Sequence, residues 1–551
     1  MTEFDILITD SLEKILPDGT PRPLTDTTFK VWPGEVVSFQ VACRVTANDS
    51  WPPVRPKVFL EGEAADAVRI RRVKLVPVLL ATYFDGDDHY ITKHAAMLPD
   101  ALIPLGDGED PTFACMAGQW DAFWCDLPVG ESDAGKEKKL TVVVKDPEGQ
   151  ELLRQELTIA VQKDTLPAQT LLYTRWFHAD CLADYYNVPA WSEEHWTIVE
   201  NYVRSASQLG INMLLTPLFT PALDTAVGGE RTTVQLVGVT VTDGVYSFDF
   251  TLLERWIKLL DKYGIHELEM CHLFTQWGAA AAPKVMATVD GEYKRIFGWD
   301  TPSVGGEYTK FLRTFLPALK ECLTKVDMLE HAWFHVSDEP EEENLAQWSA
   351  ARNSVADLLE DCHMLDALTS VSFYEQGIIK TPVPSNNHIE PFVDAKVPGL
   401  WTYYCAGQYN EVSNTFIAMP SARNRIMGTL LYRYDLAGFL QWGFNFYNSV
   451  DSLYHIDPWQ TTDSFGVWPA GDPFIVYPAP DGTAWDSIRG MVFREALQDL
   501  RLLRLAQSKL GRDAVLKLLE DCWDGKMMTM KSYPRDPEWF NLLRDKLVAL
   551  L

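Results

Sequence analysis

From about residue 170 onward, short apolar runs alternate with helical stretches, and this alternation limits the folds open to the chain more than any other feature. "LLYTRWFH" is followed by "SEEHWTIVENYVRSASQLG", where Trp196, Val199, Val203, Ala206 and Leu209 recur at helical spacing between a Ser192 cap and a Gly210 stop. "INMLLTPLF", "IHELEMCHLF", "EHAWFHVSDEP", "MLDALTSVSFY", "PGLWTYYC", "AGFLQWGFNFY" and "PFIVYP" continue the series, and "TVQLVGVTVTDGVYSFDF" reads as an inserted hairpin. About eight strands with helices between them, over some 330 residues, fit a (β/α)8 TIM-type barrel. A doubly wound sheet fits less well, because no Gly-rich phosphate turn follows a strand.

Ahead of this region the period is two. In "VVSFQVACRV", Val37, Phe39, Val41, Cys43 and Val45 alternate with Ser38, Gln40, Ala42 and Arg44, and "KLTVVVK" and "ELTIAVQ" repeat the pattern. The expected organisation is a β-sandwich over 1–165, a barrel over 166–510 and a C-terminal helical segment over 511–551.

Charge excludes some partners. Lys and Arg number 48 against 77 Asp and Glu, a formal charge of -29, with no basic patch to offer a nucleic acid or an anionic membrane surface. "MTEFDILITD" lacks the basic n-region of a signal peptide, no run is long enough to span a membrane, and the nine cysteines are scattered without a CxxC pair. A cytoplasmic location is the expectation, with the oligomeric state left open.

In a barrel of this kind the active site gathers at the C-terminal ends of the strands. The fourth run ends in "HVSDEPEEEN", which brings the adjacent acids Asp338 and Glu339 to that rim. Ser337 or Asp338 can cap a following helix whose first turn holds Pro340. In a regular strand neighbouring side chains face opposite ways, so the strand must end or twist for both acids to reach one substrate. Arg175, His178, Asp180, Gln276, Trp277, His335, Tyr374, Tyr403, Tyr404, Trp442 and Asn445 are the binding candidates around them. His272, Trp401 and Gln441 fall at the same strand ends. Acids, amides and aromatic rings suit a neutral polyhydroxylated ligand.

An adjacent acid pair does not suit the usual retaining arrangement, in which two carboxylates flank the bond from separate elements. It suits substrate-assisted cleavage of a 2-acetamido sugar, where one carboxylate orients the acetamide and the other protonates the leaving oxygen. A metal hydrolase built on His178, Asp180, His272, His335 and Asp338 is a rival, although the chain lacks HExxH and any HxH on the first strand. A non-catalytic carbohydrate-binding protein is another. "DGDDH", Asp85 to His89, lacks the spacing of a full calcium loop.

"FHVSDEP", "TPLFTPALDT", "ERTTVQLV", "LFTQWGA", "LWTYYC", "GFLQWGFNFY" and "GDPFIVYP", together with "SIRGMVFREALQDLRLL", resemble glycoside hydrolase family 123 and its close relatives, the β-N-acetylgalactosaminidases. "PGEVVSFQV" resembles the opening strands of their β-sandwich. The resemblance implies a retaining exo-glycosidase that needs no metal or cofactor and passes through an oxazolinium intermediate. Asp338 matches the acetamide-orienting aspartate and Glu339 the general acid/base. The resemblance alone carries the preference for N-acetylgalactosamine over N-acetylglucosamine, which differs only at the C4 hydroxyl.

Overall fold

The computed structural model describes residues 3–47, 54–106, 108–114, 118–338, 342–368 and 370–551. Glu339 lies outside them, as do Pro340 and Glu341.

Two sheets form the N-terminal part. A five-stranded antiparallel sheet runs in the order Glu3–Asp10, Val36–Ala47, Trp120–Pro128, Arg69–Val78, Ala96–Pro104. A four-stranded sheet runs Thr28–Val31, Glu151–Val161, Glu137–Lys145, Lys57–Glu61. Val37, Phe39, Val41, Cys43 and Val45 share one apolar cluster with Val142, Val144, Leu157 and Ile159 of the second sheet. The opposite face of the first sheet is buried too: Ala42, Val76, Ala122 and Trp124 belong to the large core shared with the rest of the chain. The alternation therefore identifies the strands but does not divide buried from exposed, because both faces are covered.

The second part is built on a curled parallel sheet. Its order is His363–Met364, Ala332–Phe334, Glu267–Met270, Met213–Thr216, Leu172–Arg175, Gly438–Gln441, Trp401–Tyr403. Beyond Met364 the chain re-enters strand at Asp366–Leu368, which pairs in parallel with Pro382–Pro384, and Ser385 bridges in parallel to Tyr403. The order from the first strand therefore places Ala332–Phe334 fourth, as the sequence predicts.

One of the expected strands differs. "PFIVYP" is not a member of the parallel sheet: Tyr477–Pro478 pairs antiparallel with Ala484–Trp485. Its place is taken by Pro382–Pro384, which is too short and too proline-rich to show a period. The first turn of the helix expected from Ser337 or Asp338 lies outside the described residues; beyond it a 3-10 turn at Glu342–Asn344 leads into the helix Leu345–Asn353.

Helices cover the sheet as the periodicity predicts. Glu193–Gln208 starts with the Ser192 hydroxyl accepting the His195 N–H at 3.2 Å. The inserted hairpin, Gly238–Thr242 and Val245–Asp249, joins Val285–Val289 and Glu292–Phe297 in a side sheet. Tyr246 and Phe248 of that sheet pack on Phe311 of the helix Gly306–Lys325. The chain closes with Ile488–Leu510, Arg512–Asp521 and Glu538–Leu550. Among the described residues no helix is long and apolar enough to cross a membrane.

Candidate active site

The parallel strands sort their side chains by parity. Tyr173 and Phe439 turn outward and pack on Phe493 of the last long helix, at ring distances of 4.9 and 5.3 Å. Trp176, Leu440, Trp442 and Tyr403 turn the other way and line a cavity of about 150 Å³. Leu223, Asp224, Gln276, Trp277, Asp338, Trp468 and Asp472 complete most of the wall. No lysine or arginine is among the described lining residues.

Asp338 reaches this wall because the strand stops early. The strand ends at Phe334, and the chain then runs out through Val336 and Ser337 with the His335 and Val336 carbonyls held by the Leu273 and Phe274 N–H groups and with two side-chain restraints. The buried Asp366 carboxylate accepts the Val336 N–H at 3.1 Å, and the Ser337 hydroxyl donates to the Thr275 carbonyl at 2.8 Å. The Trp277 N–H in turn donates to the Asp338 carbonyl at 3.2 Å, joining two rim loops. Asp338 is half-buried there. The expectation that the strand must end before the acids is met four residues early.

Below the cavity sits a buried polar cluster. Glu269, fully buried, accepts hydrogen bonds from the Thr174 hydroxyl, from Trp176 Nε1 at 2.7 Å and from His335 Nε2 at 2.7 Å. His272 stacks on His335 at 4.3 Å between ring centroids and meets Trp176 edge-on at 5.3 Å. Burial, and then the neighbouring His335, push the His272 pKa well below its ordinary value, so its ring is neutral. Burial raises the Asp366 carboxyl to about 7 despite the nearby His335.

Several predicted residues act on the protein and not on the cavity. Arg175 turns outward and is fully buried, with its guanidinium donating to the Tyr173 hydroxyl, the Gly443 carbonyl and the Thr415 hydroxyl. Tyr404 lies on the same side, edge-on to Phe439. Asp180 forms a two-pronged pair with Arg231 at 2.6 and 2.7 Å, both side chains buried. Burial alone would raise the Asp180 pKa, but Arg231 more than offsets it and holds the carboxyl ionised. Arg231 also donates to His178 Nδ1 at 3.1 Å, which leaves the proton on Nε2 to donate to the Trp442 carbonyl at 3.0 Å. Burial and Arg231 together lower the His178 pKa to about 3. Asn445 clasps the His178 backbone through both its amide atoms. Tyr374 is half-buried in the helix Ser372–Glu375 and is not among the cavity-lining residues.

The structure thus brings Asp338, Trp277, Tyr403, Trp442 and Gln276 to one cavity. His335, His178, Asp180 and Asn445 lie behind it. Gln276 is largely committed, accepting the Asp224 N–H and donating to the Thr225 carbonyl at 3.2 Å. Asp224, Asp472, Trp468, Trp176 and Glu269 are absent from the sequence-derived set. Glu269 and Asp366 leave a trace in the sequence, as acids inside the apolar runs "ELEM" and "MLDAL". Among the described residues no group of three His, Cys, Asp or Glu could hold a metal ion. Asp87 of "DGDDH" is spent on Arg423, at 2.9 and 2.8 Å.

Comparison with known proteins connects this cavity to a family. No curated protein sequence matches the chain. A family 123 glycoside hydrolase from Clostridium perfringens, described as hydrolysing glycolipid glycans, superposes with a TM-score of 0.71 at 14% identity, covering 100% of this chain and 97% of that one. At that identity the match speaks for the fold. An endo-β-1,4-mannanase from Thermotoga petrophila reaches a TM-score of 0.31 at 12% identity, covering 60% of this chain and 77% of its own. A Parabacteroides merdae β-glucuronidase reaches 0.29 at 9% identity, covering 91% and 52%. Neither of these two carries an argument. The sequence pattern of the glycoside hydrolase 123 catalytic domain matches residues 176–506, more than half of the chain and the whole of the cavity wall. The chain belongs to glycoside hydrolase family 123.

Proposed function

We propose that the protein is a retaining exo-glycosidase that removes terminal β-linked N-acetylgalactosamine by substrate-assisted catalysis. The observation that carries this reading is the placement of Asp338 on a cavity walled by Trp176, Trp277, Tyr403, Trp442 and Trp468. Aromatic faces suit the C–H face of a pyranose, and carboxylates suit its hydroxyls.

In this mechanism the acetamide oxygen of the substrate attacks its own anomeric carbon while the glycosidic C–O bond breaks. Asp338 orients the acetamide N–H and stabilises the positive charge of the resulting oxazolinium. Glu339 gives its proton to the leaving oxygen, then takes one from the water that reopens the ring, so the anomeric configuration is retained. Two inversions at one carbon give that outcome. The side chain of Glu339 lies outside the described residues, and its role rests on its adjacency to Asp338 and on the resemblance of "FHVSDEP" to the family. An intramolecular nucleophile in good alignment can contribute roughly 7 to 11 kcal/mol.

The same proposal takes the parallel strands as a (β/α)8 barrel over 166–510, the two N-terminal sheets as a β-sandwich over 1–165, and 511–551 as an appended helical segment. It includes a cytoplasmic location. Glycolipid glycans, the substrate of the Clostridium perfringens enzyme, are the first natural substrates to try.

Leaving-group dependence tests the acid. Glu339→Gln should lose about 100-fold or more on a 4-methylumbelliferyl N-acetylgalactosaminide, within the range expected of a general acid, and much less on the 2,4-dinitrophenyl glycoside, which needs no protonation to depart. Equal losses on both substrates would remove Glu339 from that role.

A further inference from the structure

Three described carboxylates line the cavity: Asp224, Asp338 and Asp472. Asp338 is assigned to the acetamide. Asp472 is committed to the wall, with one oxygen accepting Trp442 Nε1 at 2.8 Å, and its burial pushes it up to about 7. Asp224 differs in that its Oδ2 is buried and has no hydrogen-bond partner among the described residues.

Everything else about Asp224 is anchored. It sits in a turn at φ 42°, a left-handed conformation that aspartate tolerates better than most residues. Its N–H donates to the Gln276 side chain, and its carbonyl accepts the Ser452 hydroxyl at 2.7 Å. The residues beside it are held as well: the Leu223 carbonyl by Arg231 at 3.1 Å, the Thr225 carbonyl by Gln276, and the Ala226 N–H by the Asp451 carbonyl at 2.9 Å. Arg231 is itself locked in the buried pair with Asp180. A turn restrained on all sides around one unfilled acceptor is the arrangement expected of a preorganised ligand contact.

We infer that Asp224 is a specificity-determining residue, whose carboxylate accepts a hydrogen bond from a ring hydroxyl of the terminal sugar away from the anomeric centre. This rests on the proposed function, since it takes the occupant to be that sugar. Burial, the largest influence on the group, raises its pKa to about 7 against the opposing pull of Arg231, with the Asp451 charge adding to the rise and a hydrogen bond from the Asp451 backbone opposing it. The C3, C4 and C6 hydroxyls are the available donors, and a contact to C4 would set the choice between the galacto and gluco epimers.

The test is a binding cycle. Affinities of methyl β-N-acetylgalactosaminide and its 3-deoxy, 4-deoxy and 6-deoxy analogues are measured by calorimetry, in the Glu339→Gln background, with and without Asp224→Asn. Asp224→Gly is run in parallel, because glycine accepts the positive φ and removes the carboxylate without strain. Both variants should weaken the parent sugar about 10- to 150-fold, the range for a hydrogen bond to a charged group. For one deoxy analogue the loss should fall within about threefold. Equal losses across all four sugars, or no loss, would overturn the inference. Turnover of the native protein is read separately: failure to cleave any acetamido sugar would defeat the proposed mechanism, while the binding cycle would still report on Asp224.

Discussion

Glu269 shows how much of the site is decided below its surface. It accepts from Thr174, Trp176 and His335 at once, so one buried carboxylate fixes the cavity floor and the strand that leads to Asp338. Glu269→Ala would strand three buried donors, at a cost on the order of 3 kcal/mol or more, whereas Glu269→Gln keeps an acceptor and should cost clearly less. Urea denaturation of the two variants checks the order, and equal destabilisation would contradict it. At this scale the sequence told residue type better than direction. Asp338, Trp277, Tyr403 and Trp442 were legible because each sits where an apolar run meets a loop. Arg175 and Tyr404 have the same setting, but strand parity turns them away from the cavity, and parity cannot be counted until the strand's register is known. Asp224 falls inside the family-like stretch "TPLFTPALDT", but nothing in that stretch singles it out for the cavity, since its place depends on a loop clamped by Arg231 and by Ser452, far along the chain.

At the scale of elements, the parallel strands of the second part are only three or four residues long in most cases, shorter than any period can mark. They were found by their apolar content and by the helices between them. That method takes "PFIVYP" for a strand of the sheet and passes over Pro382–Pro384, because burial and not pairing is what apolar content reports. Close packing between strands is visible only in three dimensions: a Cβ added at Gly438 would come within 2.1 Å of the Trp401 ring, so the approach of these two paired strands requires glycine there. The long helices are legible in the sequence, down to the Ser192 cap, since each presents several turns of pattern.

For the whole molecule, the N-terminal sheets are joined to the catalytic part through buried ion pairs on the helix Ile488–Leu510 and its N-terminal approach. Arg489 pairs with Asp100 at 3.0 Å, with both side chains buried. Arg71, beside Asp126 in its own sheet, also reaches across to Asp486. Asp100→Asn would leave Arg489 charged and short of its counter-ion, costing about 3 to 5 kcal/mol. With these buried pairs across the join, native and variant should each unfold in one transition by both tryptophan fluorescence and circular dichroism; an early, separate step would show that the N-terminal sheets are held more loosely. The central claim concerns the cavity those sheets support, and it is tested most directly by comparing hydrolysis of an aryl β-N-acetylgalactosaminide, the matching glucosaminide and the plain β-galactoside. Rapid release from the acetamido sugars with none from the plain galactoside is the predicted result, with the galacto-to-gluco ratio measuring specificity. Equal release from the plain galactoside would mean that the protein supplies its own nucleophile, and would contradict the role given to Asp338.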